Sequence, residues 1–133
     1  MVRGSCLCGR VKYQIDGKLS GPMNCHCSVC RKAHGAAFRS RVGVRVSDFA
    51  WVQGEDVVTF YESSPGNHRG FCSACGSPML SKFDFDPAHY GVPLGVLDGD
   101  PGVRPQCHVH VASKAPWFSI TDDLPQFAEF PSR

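Results

Sequence analysis

The clustering of the cysteines constrains this chain more than any other feature of its sequence. Seven of the eight cysteines fall into three short clusters, CLC at 6–8, CHCSVC at 25–30 and CSAC at 72–75. A structural zinc site takes four thiolate or imidazole ligands, whereas a reactive zinc site keeps three protein ligands and one open position. Seven clustered cysteines divide into a group of four and a group of three, which predicts two zinc ions.

The spacing within each cluster indicates which cysteines share an ion. The middle cluster holds three sulfurs in six residues and can surround one ion by itself, so the two remaining pairs are left to form the other site. Two groups result: the four-cysteine group of Cys6, Cys8, Cys72 and Cys75, and the three-cysteine group of Cys25, Cys27 and Cys30. We expect the first pair to share a face of an extended segment. Gly9 and Gly76, directly after the two pairs, allow turns that bring all four sulfurs together.

Eight cysteines also permit a disulfide framework, which is the alternative to metal binding. The first five residues lead directly into a cysteine, and no stretch is apolar enough for a signal peptide or a membrane span. We therefore expect a reducing, cytoplasmic setting, in which clustered cysteines bind metal more often than they form disulfides. The net charge of +2 implies no particular partner.

The rest of the chain predicts an all-β fold of short antiparallel strands with little helix, in one zinc-binding domain spanning residues 1–133. Ten prolines and fourteen glycines favour tight turns over long helices. Alternating hydrophobicity and β-branched or aromatic residues predict strands at 11–15, 42–46, 57–62, 68–71, 79–83, 90–97 and 107–111. Asp16-Gly17 predicts a hairpin turn after the first strand, and residues 29–34 predict a short helical turn.

The three-cysteine group leaves one coordination position to be filled. Water, a substrate or a distant residue can fill it, and the candidate residues are His26, His34, Cys107, His108 and His110. With an open position, a thiolate-rich zinc suits the activation of an incoming thiol better than that of water, which favours sulfur chemistry. With a fourth protein ligand, the ion would be a second closed structural zinc.

Three motifs and the C-terminal tail resemble one protein family. The motifs are GSCLCGRVKY at 4–13, CHCSVCRK at 25–32 and FCSACGS at 71–77, and the tail carries SKAPWF at 113–118 and DLPQF at 123–127. Together they are similar to the glutathione-dependent formaldehyde-activating enzyme family, which includes centromere protein V. The similarity covers nearly the whole chain.

The resemblance implies a fold, two metals and an activity. The fold is an all-β "β-tent" domain, with a structural zinc on the four-cysteine group and a second zinc on the three-cysteine group. The activity is carbon–sulfur lyase-type chemistry that joins the thiol of glutathione to formaldehyde, giving S-(hydroxymethyl)glutathione. Cys25, Cys27 and Cys30 would act catalytically through the open zinc. Another low-molecular-weight thiol or another aldehyde would need the same metal.

Residues of the last predicted strand and the segment after it give further candidates. Lys114 and Trp117 are expected to bind substrate in a pocket wall, and a turn that seals the core is the alternative. His108 and His110 alternate along a strand and would share a face, either as metal ligands or in ordinary packing. Cys107 points to the opposite face and is expected to be a small buried residue.

Three arginines alternate on or near an earlier predicted strand. Arg39, Arg41 and Arg45 could meet a carboxylate of glutathione or a nucleic-acid phosphate. A solvated strand face is the alternative, because arginine is mostly exposed in folded proteins.

A zinc-stabilised binding or interaction module without catalysis is a second class of function for this chain. Nucleic acid is disfavoured as its partner, because such domains have a pI above about 9 with clustered basic residues, whereas the pI here is 8.2. The fourth ligand of the second zinc separates the two classes: water or an added thiol indicates an enzyme, and a protein side chain indicates a structural module.

Overall fold

The computed structural model of the protein describes residues 1–131. The strands in this part of the chain are β1 (Val2–Ser5), β2 (Lys12–Ile15), β3 (Ser20–Cys25), β4 (Arg39–Arg45), β5 (Phe49–Gln53), β6 (Val58–Ser64), β7 (Asn67–Cys72), β8 (Pro78–Phe83), β9 (Asp86–Pro93), β10 (Leu97–Asp98) and β11 (His108–Val109). The α-helix found there is α1 (Ser28–His34), and short 3₁₀ turns lie at Val46–Asp48, Glu55–Val57, Leu94–Val96 and Val111–Ser113. The all-β prediction is confirmed.

The strands form two sheets. One has four strands in the order β10-β1-β2-β5, and the other has seven in the order β11-β3-β4-β9-β8-β7-β6. All neighbouring strands are antiparallel except β11, which runs parallel to β3. No helix within residues 1–131 has the length and apolarity needed to cross a membrane.

The hydrophobic core packs the two sheets against each other. Tyr13 and Ile15 of β2 are fully buried and alternate with the more accessible Lys12 and Gln14, as the period of two along a strand requires. The other sheet contributes a set of buried aliphatic side chains, Val42, Val44, Met79, Leu80 and Val92. This shared core fixes the positions of the strand ends that carry the cysteines.

Several predicted elements are found where the sequence placed them. The predictions at 57–62, 68–71 and 79–83 correspond to β6, β7 and β8. The predicted helical turn is α1, which is capped by Cys27 at its N-terminus and by Gly35, in the left-handed conformation, at its C-terminus. Local signals were sufficient for these elements.

Other predictions about the strands were wrong. Asp16-Gly17 does not join a hairpin, because β2 pairs with β1 and β5 while β3 belongs to the other sheet. The single strand predicted at 90–97 is divided: β9 ends at Pro93, a 3₁₀ turn follows, and β10 joins the four-stranded sheet. Proline lacks the N–H that would continue the ladder. Strands β1, β3 and β5 were not predicted.

The last predicted strand, at 107–111, is shorter than expected. β11 comprises only two residues, because His110 has a positive φ of 56° that turns the chain away from the sheet. His108 and His110 therefore do not share a strand face, contrary to the prediction.

Candidate functional site

The four-cysteine group lies where the two sheets meet. Cys6 and Cys8 follow β1 of the four-stranded sheet, whereas Cys72 ends β7 of the seven-stranded sheet and Cys75 lies in the turn after it. The four sulfurs all lie within 4.8 Å of one another. The Sγ atoms of Cys6 and Cys8 are 3.5 Å apart, and those of Cys8 and Cys72 are 3.8 Å apart.

These distances fit a tetrahedral metal site. Four sulfurs at about 2.3 Å from a central zinc ion stand about 3.8 Å from one another. All eight cysteines are free thiols, so the disulfide alternative is not realised in this structure. The four-cysteine group could hold a metal ion.

Two glycine turns bring the four sulfurs together. Gly9 and Gly76 have φ values of 81° and 80°, as their predicted role in turning the chain requires. The Gly9 N–H donates to the carbonyl of Cys6 at 3.1 Å, and the Gly76 N–H donates to the carbonyl of Cys72 at 2.7 Å. Both pairs thus lie in tight turns, and the prediction of an extended segment at the first pair was wrong.

Uncharged donors surround these sulfurs. The Val11 N–H donates to Cys6 Sγ at 3.2 Å, and the Ser77 hydroxyl lies 3.2 Å from Cys75 Sγ. The hydrogen bond from Ser77 lowers the pKa of the Cys75 thiol to about 5. Ser77 also accepts the Leu7 N–H at 2.9 Å, which ties the two turns to each other.

The three-cysteine group lies at the junction of β3 and α1. Cys25 ends the strand, Cys27 caps the helix, and Cys30 lies in its first turn. The Cys30 N–H donates to Cys27 Sγ at 3.3 Å, the hydrogen bond expected of an N-cap side chain. The three sulfurs lie within 4.8 Å of one another, so this group could also hold a metal ion.

Candidates for a fourth ligand do not join this group. Within residues 1–131, no other cysteine, histidine, aspartate or glutamate places a ligand atom within 4.8 Å of all three sulfurs. Cys107 is partly buried and packs against the apolar cluster that contains Cys25, Cys30 and Val109, and His34 lines a neighbouring cavity.

The three cysteines line a cavity of about 180 Å³. Its wall also includes three arginines, Arg39, Arg41 and Arg69, together with His110 and apolar side chains such as Phe83. An adjoining cavity of about 240 Å³ shares Arg39 and Arg69 and contains His34. Of the two alternatives given for the arginines of this strand, the solvated strand face is wrong for Arg39, which is only 4% exposed.

Positive charge acts directly on the three-cysteine group. Arg69 Nη2 donates to Cys30 Sγ at 3.4 Å. The thiols of Cys25 and Cys27, together with this guanidinium, hold the pKa of Cys30 well below its usual range. The Arg69 guanidinium thus favours the thiolate form of Cys30.

A chain of hydrogen bonds runs from the three-cysteine group to the C-terminal tail. His26, which lies between two of the cysteines, bonds through Nε2 to His108 Nδ1 at 2.8 Å. His108 Nε2 bonds in turn to Asp122 Oδ2 at 3.0 Å. Burial, followed by the charge of His108, lowers the pKa of His26 to about 4. Both ring nitrogens of His108 are engaged, so neither is free to bind metal.

The two predicted substrate-binding residues lie apart from this cavity wall. Trp117 is 71% exposed and packs edge-on against Phe118. The Lys114 ammonium donates to the backbone carbonyls of Ala115 and Phe118. Neither side chain lines either of the two cavities described above, and their binding of substrate stays a prediction.

Two residues of the site were not identified from the sequence. Arg69 reaches the cysteines because β7 crosses the same sheet, and no local motif indicates this. Asp122 reaches His108 because residues 125–129 of the tail hydrogen-bond along residues 108–112, as in the bond from the His108 N–H to the Pro125 carbonyl at 2.9 Å. Only the tail resemblance on either side of Asp122 could have drawn attention to it.

The chain is similar to known proteins in sequence and in fold. Residues 1–113, which include both cysteine groups, match the model of a family described as glutathione-dependent formaldehyde-activating enzyme. The chain is 29% identical over 131 residues to a Halomonas elongata protein named "Putative glutathione-dependent formaldehyde-activating enzyme", covering 90% of this chain and 81% of that protein. A crystal structure of a Rhodobacter sphaeroides protein is similar, with a TM-score of 0.62 and 28% identity, covering 75% of this chain and 92% of that one.

Proposed function

The chain belongs to the glutathione-dependent formaldehyde-activating enzyme family, and we propose that it is a zinc-dependent enzyme of the carbon–sulfur lyase type. Its reaction joins glutathione to formaldehyde at the three-cysteine group. The observation that supports this most strongly is the placement of Cys25, Cys27 and Cys30 together on the wall of a cavity. A group of thiolates with a purely structural role would not need to line a cavity.

The two cysteine groups take different roles in this proposal. The four-cysteine group holds a structural zinc, because four protein ligands close its tetrahedron. The three-cysteine group holds the second zinc, which would lower the pKa of an incoming thiol and keep it as the nucleophilic thiolate. A reducing cytoplasm suits both groups, since all eight cysteines are free.

The chemistry needs one new bond and one proton transfer. The thiol sulfur attacks the carbonyl carbon of formaldehyde, and the electron pair of the C=O double bond moves to oxygen. The proton lost by the thiol ends on that oxygen, so S-(hydroxymethyl)glutathione forms with no net proton change. His110 lines the same cavity, and an imidazole can carry this proton between the two sites.

The test is the rate of adduct formation measured by exchange spectroscopy on formaldehyde and glutathione. The zinc-loaded protein should exceed the uncatalysed rate, and Cys27→Ser should lose most of the difference. Serine is also a good N-cap, so this variant keeps the start of α1. The matched control is Cys107→Ser, which removes the cysteine outside both groups and should leave the rate unchanged.

Equal rates with and without protein, across several thiols and aldehydes, would contradict the enzymatic proposal. The zinc-stabilised interaction module would then be the better description of this chain.

A further inference from the structure

Three arginines converge on the three-cysteine group from two strands. In the register of β3 and β4, Arg39 stands opposite Cys25 and Arg41 stands opposite Met23, so both guanidinium groups are carried on the same face as the cysteine. Arg69 approaches from β7 and touches Cys30. All three line the cavity that contains the three-cysteine group.

Arg39 is buried, Arg41 and Arg69 are partly buried, and none of the three has a carboxylate partner. No aspartate or glutamate in residues 1–131 lies within 4.0 Å of any of the three. Arg39, the most buried of them, donates from Nη2 to the Gly91 carbonyl at 3.1 Å, but its Nε has no hydrogen-bond partner. Arg41 Nε and Arg69 Nη1 also lack partners. Buried charges are normally paired, because an unpaired one costs several kcal/mol.

The cysteines alone do not balance this charge. Three thiolates around a divalent ion carry one net negative charge, and a bound substrate thiolate raises this to two. Three guanidinium groups carry three positive charges. One positive charge therefore remains uncompensated when a thiol is bound, and a further anionic group of the ligand would neutralise it.

We propose that Arg39, Arg41 and Arg69 form a carboxylate subsite beside the three-cysteine group, which selects small thiols that bear a free carboxylate. The proposal rests on the proposed function in placing the thiol of the ligand at these cysteines. Planar guanidinium groups bind carboxylates through paired hydrogen bonds, which a neutral or cationic thiol cannot supply. Arg69 bridges the two parts of the site, since it contacts both Cys30 and the cavity.

The test measures the contribution of the carboxylates to binding separately from that of the thiol. S-Methylglutathione keeps both carboxylates of glutathione but has no free thiol, and its diethyl ester lacks the carboxylates as well. We expect titration calorimetry on the zinc-loaded protein to show that the ester binds at least about tenfold more weakly than the acid, the effect of losing one charge-assisted hydrogen bond.

Substitutions of arginines on β4 test which residues bind the carboxylate. Arg41→Gln should weaken binding of the acid by about tenfold and leave binding of the ester unchanged, while Arg41→Lys keeps the charge and should retain part of the affinity. The matched control is Arg45→Gln, an exposed arginine of β4 that lines neither cavity and should change nothing. Circular dichroism establishes that each variant is folded.

Equal binding of acid and ester, with no effect of Arg41→Gln on either, would overturn the subsite and leave the arginines as counter-ions of the thiolates. Failure of the proposed function has a different signature. In that case adduct formation is not accelerated, while the acid still binds more tightly than the ester and still depends on Arg41.

Discussion

The two cysteine groups differ in how far apart their members lie along the chain. The four-cysteine group joins the turn after β1 to the turn after β7 and connects one sheet to the other. The three-cysteine group is contained in the single junction between β3 and α1. A metal at the first would hold distant parts of the fold together, whereas a metal at the second would organise only its own neighbourhood.

The two cysteine groups also differ in the charge of the groups that surround their sulfurs. Backbone amides and the Ser77 hydroxyl face the four-cysteine group, and it does not line the cavity beside the three-cysteine group. The three-cysteine group faces guanidinium groups and open space. Neutral donors suit a closed structural site, while charged side chains around a cavity suit a site that must accept a ligand.

The largest expected effect comes from removing one sulfur from each group in turn. The wild-type protein should contain about two zinc ions per chain. Cys72→Ser should lose the structural ion and unfold, because a structural zinc contributes about 10–16 kcal/mol, as much as the whole stability of a typical domain. Cys27→Ser should remain folded with about one zinc. Elemental analysis and thermal denaturation measure both quantities.

The control for this comparison is again Cys107→Ser, which should keep both ions and unfold close to the wild-type temperature. If Cys27→Ser unfolds as completely as Cys72→Ser, both metals are structural and the contrast between the two groups is lost.

A smaller effect is expected when the hydrogen-bond chain behind the three-cysteine group is shortened. Asp122→Asn removes the carboxylate that His108 contacts, which loosens His26 and the cysteines on either side of it. Zinc should pass to a chelator several-fold faster from the three-cysteine group, with no change at the four-cysteine group.

The exposed neighbour Asp123 provides the matched control, since Asp123→Asn should release zinc at the wild-type rate. Equal acceleration by both aspartate variants, or equal loss from both groups, would show that the hydrogen-bond chain does not support this site.

The smallest expected effect is a difference in pH dependence. Burial, together with the charges of Arg39 and Arg69, lowers the pKa of His34 to about 4. The unfolded state has the ordinary value near 6.5 and binds more protons between these limits, so the free energy of unfolding falls as the pH drops from about 6.5 towards 4.

His34→Gln removes this contribution, and its stability should fall less steeply with acidity than that of the wild type. Urea unfolding of both proteins at several pH values measures the difference between their free energies of unfolding. Proton binding by the cysteines contributes equally to both proteins and cancels in this difference. If the free energies of unfolding of both proteins change with pH in parallel, His34 is not desolvated beside the arginines.

Local patterns in the sequence predicted the parts of the molecule that depend on neighbouring residues. The grouping of the cysteines, the helical turn at α1 and the left-handed glycines all follow from short spacings and backbone preferences. Strand β3 was missed because its Gly21-Pro22 resembles a turn, although the strand continues through both residues. A strand forms its hydrogen bonds with partner strands, and the sequence around the strand does not indicate which segments these partners are.

Long-range placement explains the remaining errors. Nothing next to Asp16 and Gly17 indicates that the chain passes to another sheet, and nothing next to Arg39 indicates that β4 brings its side chain beside Cys25. The same holds for Asp122, which reaches His108 only when the tail lies along residues 108–112. Charges buried far from their sequence neighbours were the least predictable part of the site.

The distance between the two halves of the four-cysteine group also sets an order of assembly during synthesis. The three-cysteine group is complete once Cys30 leaves the ribosome, whereas the other group waits for Cys75, 45 residues later. At typical rates of translation this interval lasts roughly 2–9 s. Until Cys72 follows, Cys6 and Cys8 are the members of the four-cysteine group that are already synthesised. Either can complete a tetrahedron around the wrong ion, so the ligands that later join the two sheets are the ones most exposed to premature capture.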